Sequence, residues 1–141
     1  MNNLFDIACN FSSDRFDNDL NEVIQRAKNN NVTKFLVVSA SLKDADKVHR
    51  IYQDNKNSCF FTIGVHPHHA NEFGSFSSAE MIKLIEKYKP HSVGETGLDF
   101  FRNISSYEEQ LFAFEEQIQI AIDTNLPLFL HQREAHDDFM K

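Results

Sequence analysis

Three histidines fall within four residues in the stretch Gly64-Val65-His66-Pro67-His68-His69, directly after an apolar run. Imidazole binds transition metals and moves protons near neutral pH, so the stretch raises both chemistries. In an extended segment residues two apart point the same way, which lets His66 and His68, on either side of Pro67, face one ligand and leaves His69 out. A second candidate is Glu95, set between Gly94 and Gly97 at the end of another apolar run. A carboxylate there is poorly placed for packing and well placed for a metal, and the glycines would let backbone approach a ligand closely. His131 closes the apolar run Leu126–Leu130. By itself it reads as a structural histidine, but beside Glu95 on an adjacent strand it becomes a second donor to one ion. Arg102 and Arg133 lie one short loop beyond these donors, where guanidinium forks could hold a phosphate or neutralise Glu95 and Asp99. His49, His91 and His136 carry no motif.

The elements that must position these residues read as an alternation. Strand-sized apolar runs occur at 4–9, 34–39, 59–65, 91–95 and 126–131. Helical segments lie between them, most clearly the stripe Tyr107, Leu111, Phe114, Ile118 and Ile122. Ser77 with Glu80, and Ser105 with Glu108, have the spacing of capping boxes. Strand then helix, five times over, predicts a parallel α/β sheet, either doubly wound or a barrel. The candidate residues then gather at the C-terminal strand ends, on the face where such folds bind ligands. A strand about every 30 residues matches the period of a TIM-type (β/α)8 barrel, of which this chain would hold roughly the first five units. A single partial domain over residues 1–141 is the expectation, with the chain stopping just after a helix begins. Such a half-barrel would expose two sheet edges and an apolar interior and be association-prone.

Composition narrows the class. With 141 residues, 41% hydrophobic and 25% charged, the chain is long enough for one globular domain with a core. Cys9 and Cys59 sit in apolar segments without a CxxC pattern and read as buried free thiols of a reducing compartment. No run of residues is long and apolar enough to span a bilayer, and the N-terminus lacks a leader pattern, so a cytoplasmic location is expected. A formal net charge of −7 argues against a general polyanion binder. A nucleic-acid substrate would need a local positive site, which a bound divalent cation supplies.

Four stretches, Phe5-Asp6-Ile7-Ala8-Cys9-Asn10-Phe11, Gly64–His69, Gly94-Glu95-Thr96-Gly97-Leu98-Asp99-Phe100-Phe101-Arg102-Asn103 and Leu126–Phe139, together resemble the TatD-like metal-dependent deoxyribonucleases of the metallo-dependent hydrolase superfamily. The resemblance covers essentially the whole chain but only about the first half of a family member. It implies a divalent-metal hydrolase that cuts DNA phosphodiester bonds and is a monomer when full-length. Glu95 and His131 would be metal ligands, and His66 and His68 catalytic residues at the rim, within reach of substrate or of a water on the metal. Asn10, Asp99, Arg102 and Arg133 would contact substrate or support the ligands. Mg2+ is the expected ion, with Mn2+ or Zn2+ as alternatives.

Two departures matter. Many family members carry His-x-His on the first strand after an aspartate; here Asp6 is followed by Ala8 and Asn10 at those positions. A bacterial branch of the family also has asparagine there, which implies fewer first-strand ligands and an enzyme still active. The family's later histidine and aspartate would lie beyond Lys141, so weak metal binding and an inactive truncated fragment stand as one alternative. Hydrolysis of a small ester, lactone or amide is another.

Overall fold

The computed structural model describes residues 3–141. Five parallel strands, β1 (Leu4–Cys9), β2 (Val32–Val37), β3 (Cys59–Ile63), β4 (Ser92–Asp99) and β5 (Leu128–Arg133), form one sheet in chain order. The helices α1 (Leu20–Asn29), α2 (Ala45–Asp54), α3 (Ser77–Tyr88) and α4 (Tyr107–Thr124) connect them, and a short α5 (His136–Phe139) follows β5. Strand order equal to chain order is the arc of a barrel; a doubly wound sheet would reverse direction at a switch point. The fold is an α/β, TIM-like half-barrel of five units.

Helix packing follows from the strand alternation. Phe35, Val37, Phe61, Ile63 and Val93 point to one face and meet Ile24, Val48, Ile51, Met81, Ile85, Ala113, Ile120 and Ala121 from the helices. Each large side chain fully buried there contributes about 1.5–3 kcal/mol over exposure. The other face of the sheet is an open apolar concavity lined by Phe5, Leu36, Phe60 and Phe129. Phe5, Ile7 and Leu130 remain about half exposed.

Three local expectations need correction. In α4 the stripe is buried only in its middle: Phe114 is in the core with Leu111 and Ile118 packed against it, Tyr107 and Ile122 are exposed, and the most deeply buried face adds Gln110, Ala113, Gln117, Ile120 and Ala121. Hydrophobicity misassigns this face because two of its core positions are glutamines. The capping box of α4 is Ser106 with Glu109, because the Ser105 hydroxyl is buried and engaged with Asn71. Ser77 is the first residue of α3, and its hydroxyl accepts the Gly74 N–H instead of capping toward Glu80. α4 ends at Asn125 in the left-handed conformation, a position where asparagine is tolerated.

Glycines serve the strands rather than a ligand. A Cβ on Gly97, which has φ +144°, would stand 1.9 Å from the His131 carbonyl oxygen. A Cβ on Gly64 would stand 2.5 Å from the Gly94 backbone. The strands bearing Glu95 and His131 approach this closely only because the side chains are missing.

Candidate metal centre

The centre is assembled from the C-terminal ends of β3, β4 and β5. Beyond β3, Val65 is anchored through both backbone groups: its N–H donates to Gln117 Oε1 at 2.7 Å and its carbonyl accepts from Gln117 Nε2 at 3.0 Å. His66 then starts a 3-10 turn over Pro67–Glu72, with Pro67 pre-setting the first φ. The turn folds back so that the His68 N–H donates to His66 Nδ1 at 3.1 Å. A second buried glutamine, Gln110, clamps the end of β4: its Oε1 accepts the Asp99 N–H at 2.8 Å, and its Nε2 donates to the carbonyls of Asp99 and Ser105. Neither glutamine was singled out from sequence, since a polar residue on a helix reads as surface. The only local signal is their seven-residue spacing, which places both on one face.

On this frame His66, Glu95 and His131 bring one ligand atom each within 4.8 Å of the others. His131 Nδ1 lies 3.3 Å and His66 Nε2 3.8 Å from Glu95 Oε1. Donors about 2.1 Å from one ion stand roughly 3–3.5 Å apart, so the His131–Glu95 spacing fits a divalent cation without rearrangement. The mix of imidazole nitrogen and carboxylate oxygen suits Mn2+, Zn2+ or Mg2+.

Proton positions give the residues different parts. His131 Nε2 lies 3.1 Å from Asp99 Oδ2 and its Nδ1 3.3 Å from Glu95 Oε1; the tautomer with its proton on Nε2 donates to Asp99 and leaves the Nδ1 lone pair for an ion held beside Glu95. This is the carboxylate–histidine pairing that orients imidazole ligands. His66, whose Nδ1 already accepts a backbone N–H, carries its neutral-form proton on Nε2, toward Glu95. Burial, with the neighbouring His131 and His68, lowers the His66 pKa to about 3, so the ring is neutral at physiological pH. His68 donates from Nε2 to Asp99 Oδ2 at 2.8 Å.

Asp99 is 1% exposed and accepts four hydrogen bonds: from the backbone N–H groups of Phe101 and Arg102 at Oδ1, and from His68 and His131 at Oδ2. Burial raises its pKa, but the Arg102 N–H and the two imidazoles outweigh it and hold the carboxyl at about 2. With both oxygens engaged, Asp99 sits where it supports the two histidines, one of the two parts the resemblance implied for it.

The remaining expected residues lie outside this cluster. Asn10 follows β1, and its Oδ1 accepts the Ser12 hydroxyl at 3.4 Å. Arg102 is exposed and touches Asp99 only through its backbone. Arg133 is paired in register with Asp99, but its guanidinium lies 3.7 Å over the Phe101 ring. Neither arginine forms an ion pair with Glu95 or Asp99. Cys9 and Cys59 are buried free thiols. No helix among the described residues is long and apolar enough to cross a membrane.

A family model described as TatD related DNase matches residues 5–141. The "3'-5' ssDNA/RNA exonuclease TatD" of Pantoea vagans is 38% identical over 136 residues, covering 96% of this chain and 52% of that protein. Its namesake in Cronobacter sakazakii is 39% identical over 137 residues, with 97% and 52% covered. Among solved structures, the TatD homologue YjjV from Escherichia coli K12 superposes with a TM-score of 0.88 at 27% identity, covering 96% of this chain and 53% of that one. A TatD family hydrolase from Entamoeba histolytica gives 0.87 at 31% identity, with 99% and 53% covered. The chain belongs to the TatD related DNase family and spans about half the length of the curated relatives it matches.

Proposed function

We propose that this chain carries the metal-holding half of a phosphodiesterase site and acts, by divalent-metal-dependent hydrolysis, on DNA strands. The observation that carries the reading is the Glu95–His131 donor pair at 3.3 Å, with Asp99 fixing the His131 tautomer. Glu95 Oε1 and His131 Nδ1 would hold the ion. A divalent cation bound there supplies positive charge to a phosphate oxygen and acidifies a water. Asp99 keeps the Nδ1 lone pair of His131 aimed at the centre. His66, neutral and protonated on Nε2, serves as a hydrogen-bond donor to a phosphate oxygen. His68, tied to Asp99, holds the rim of the 3-10 turn in place. The names of the bacterial relatives support single-stranded nucleic acid as the substrate class.

The test is calorimetric titration of the chain with Mn2+ and Mg2+, beside Glu95→Ala and His131→Ala, followed by cleavage of an end-labelled DNA oligonucleotide. Metal binding lost in both variants, with cleavage only when metal is present, is the expected result. A folded chain that binds neither ion would overturn it.

A further inference from the structure

Two residues at the mouth of the centre are not used by this chemistry. Phe101 follows Asp99 by two positions and is held at the rim through its N–H bond to Asp99 Oδ1. Arg133 follows His131 by two positions on β5, so its side chain leaves the same strand face about 7 Å further out. The Arg133 guanidinium lies over the Phe101 ring at 3.7 Å and has no acidic partner among the described residues. One ring face is thus covered by Arg133, while Phe101 as a whole remains 53% exposed. Exposing a large ring costs solvation free energy that packing elsewhere would avoid, and a flat guanidinium keeps its N–H edges free in the plane of the stack.

We propose that Phe101 and Arg133 form a stacking platform that takes an unpaired nucleobase next to the scissile phosphate. The inference rests on the nucleic-acid reading above and adds the residues that select unpaired strand. Base stacking on an aromatic ring adds affinity that does not come from net charge, which matters in a chain of net charge −7 whose positive site is local. Bases within a duplex are already stacked on each other and cannot reach the ring, so only an unpaired terminus engages it.

The experiment measures binding of a short single-stranded DNA carrying a terminal 2-aminopurine, in EDTA so that no cleavage occurs, against the same strand with an abasic terminus. Loss of one aromatic stacking contact corresponds to roughly 5–150-fold in affinity. Wild type is expected to prefer the intact strand by about tenfold and to quench the fluorophore. Phe101→Ala should lose both the preference and the quenching, and Phe101→Trp should keep them. Arg133→Lys, which retains the charge but not the plane, should weaken the intact strand more than the abasic one. Equal losses on both strands in Phe101→Ala, or an unchanged preference, would overturn the platform, as would wild type that binds neither strand. Wild type that binds and quenches but cleaves nothing with Mn2+ supports the platform while sinking the hydrolase reading.

Discussion

Replacing Gln117 by leucine should cost more than any surface change and should loosen the centre from a distance. The side chain is fully buried and of nearly the volume of leucine, so packing is largely preserved and the effect isolates hydrogen bonding. Two backbone groups of Val65, itself 4% exposed, lose their partners. Each buried group left unpaired costs about 1–3 kcal/mol, partly offset by the easier burial of leucine, which gives a net loss of roughly 2–5 kcal/mol. The third bond, to the Ala113 carbonyl, costs less because that oxygen lies within the α4 ladder. Against a domain stability of about 5–15 kcal/mol this is a large fraction, and it corresponds to a fall in Tm of roughly 10 °C for a chain of this size. Urea denaturation followed by circular dichroism measures it directly. Because His66, the proposed donor to phosphate, is the next residue after Val65, the same variant should also bind and cleave DNA more weakly at temperatures where it is fully folded, while Mn2+ affinity, set by Glu95 and His131, stays near that of the wild type. A loss below about 0.5 kcal/mol, the level of an ordinary surface substitution, would refute the idea that the glutamine clamps hold the β3 terminus.

Gly97→Ala should prevent β4 and β5 from pairing at His131, since the added methyl would lie 1.9 Å from a carbonyl oxygen; loss of the cooperative unfolding transition is expected, and a native-like transition would contradict the close approach. Asp99→Asn presents an NH2 or a single acceptor to two imidazole donors, so metal affinity should fall about 10–100-fold by calorimetry, and an unchanged affinity would remove Asp99 from its orienting part. His91 packs among Tyr52, Phe60 and Phe61, accepts the Phe61 N–H at Nδ1, and has its pKa lowered by burial. The unfolded chain therefore takes up the proton first, and stability is lost as pH falls below about 6.5. His66 and His49, also lowered by burial, lose stability in the same window, so His91→Asn, which keeps an acceptor near the Nδ1 position, should lessen but not abolish the fall in Tm between pH 7 and 5.5, and an unaltered profile would assign the acid sensitivity to those two histidines.

Much of this molecule is written locally. Runs such as Lys34–Ser39 and Cys59–Val65 can bury themselves only as covered strands, and their alternation with amphipathic segments leaves few topologies. The meeting of Glu95 and His131 was legible because a carboxylate beside glycines and an imidazole ending an apolar strand both conflict with pure packing, and such conflicts point to candidate sites. The buried face of α4 was legible only in part, through Leu111, Phe114 and Ile118, because Gln110 and Gln117 become core residues only when the backbone ends of β4 and β3 need partners that lie 11 and 52 residues away in the chain. The platform was equally hidden: Phe101 reads as one more apolar residue in a phenylalanine-rich chain until β5 brings Arg133 across it.

The sequence by itself determined the element order, the parallel half-barrel and the chemical types gathered at its C-terminal edge, since hydrophobic periodicity and residue chemistry are properties of short segments. Only the tertiary structure decided which nitrogen of His131 faces Glu95, that the Asp99 carboxylate meets both His68 and His131, and that His66 Nδ1 accepts a backbone N–H. Those outcomes depend on burial and on hydrogen bonds between strands, which no segment carries alone.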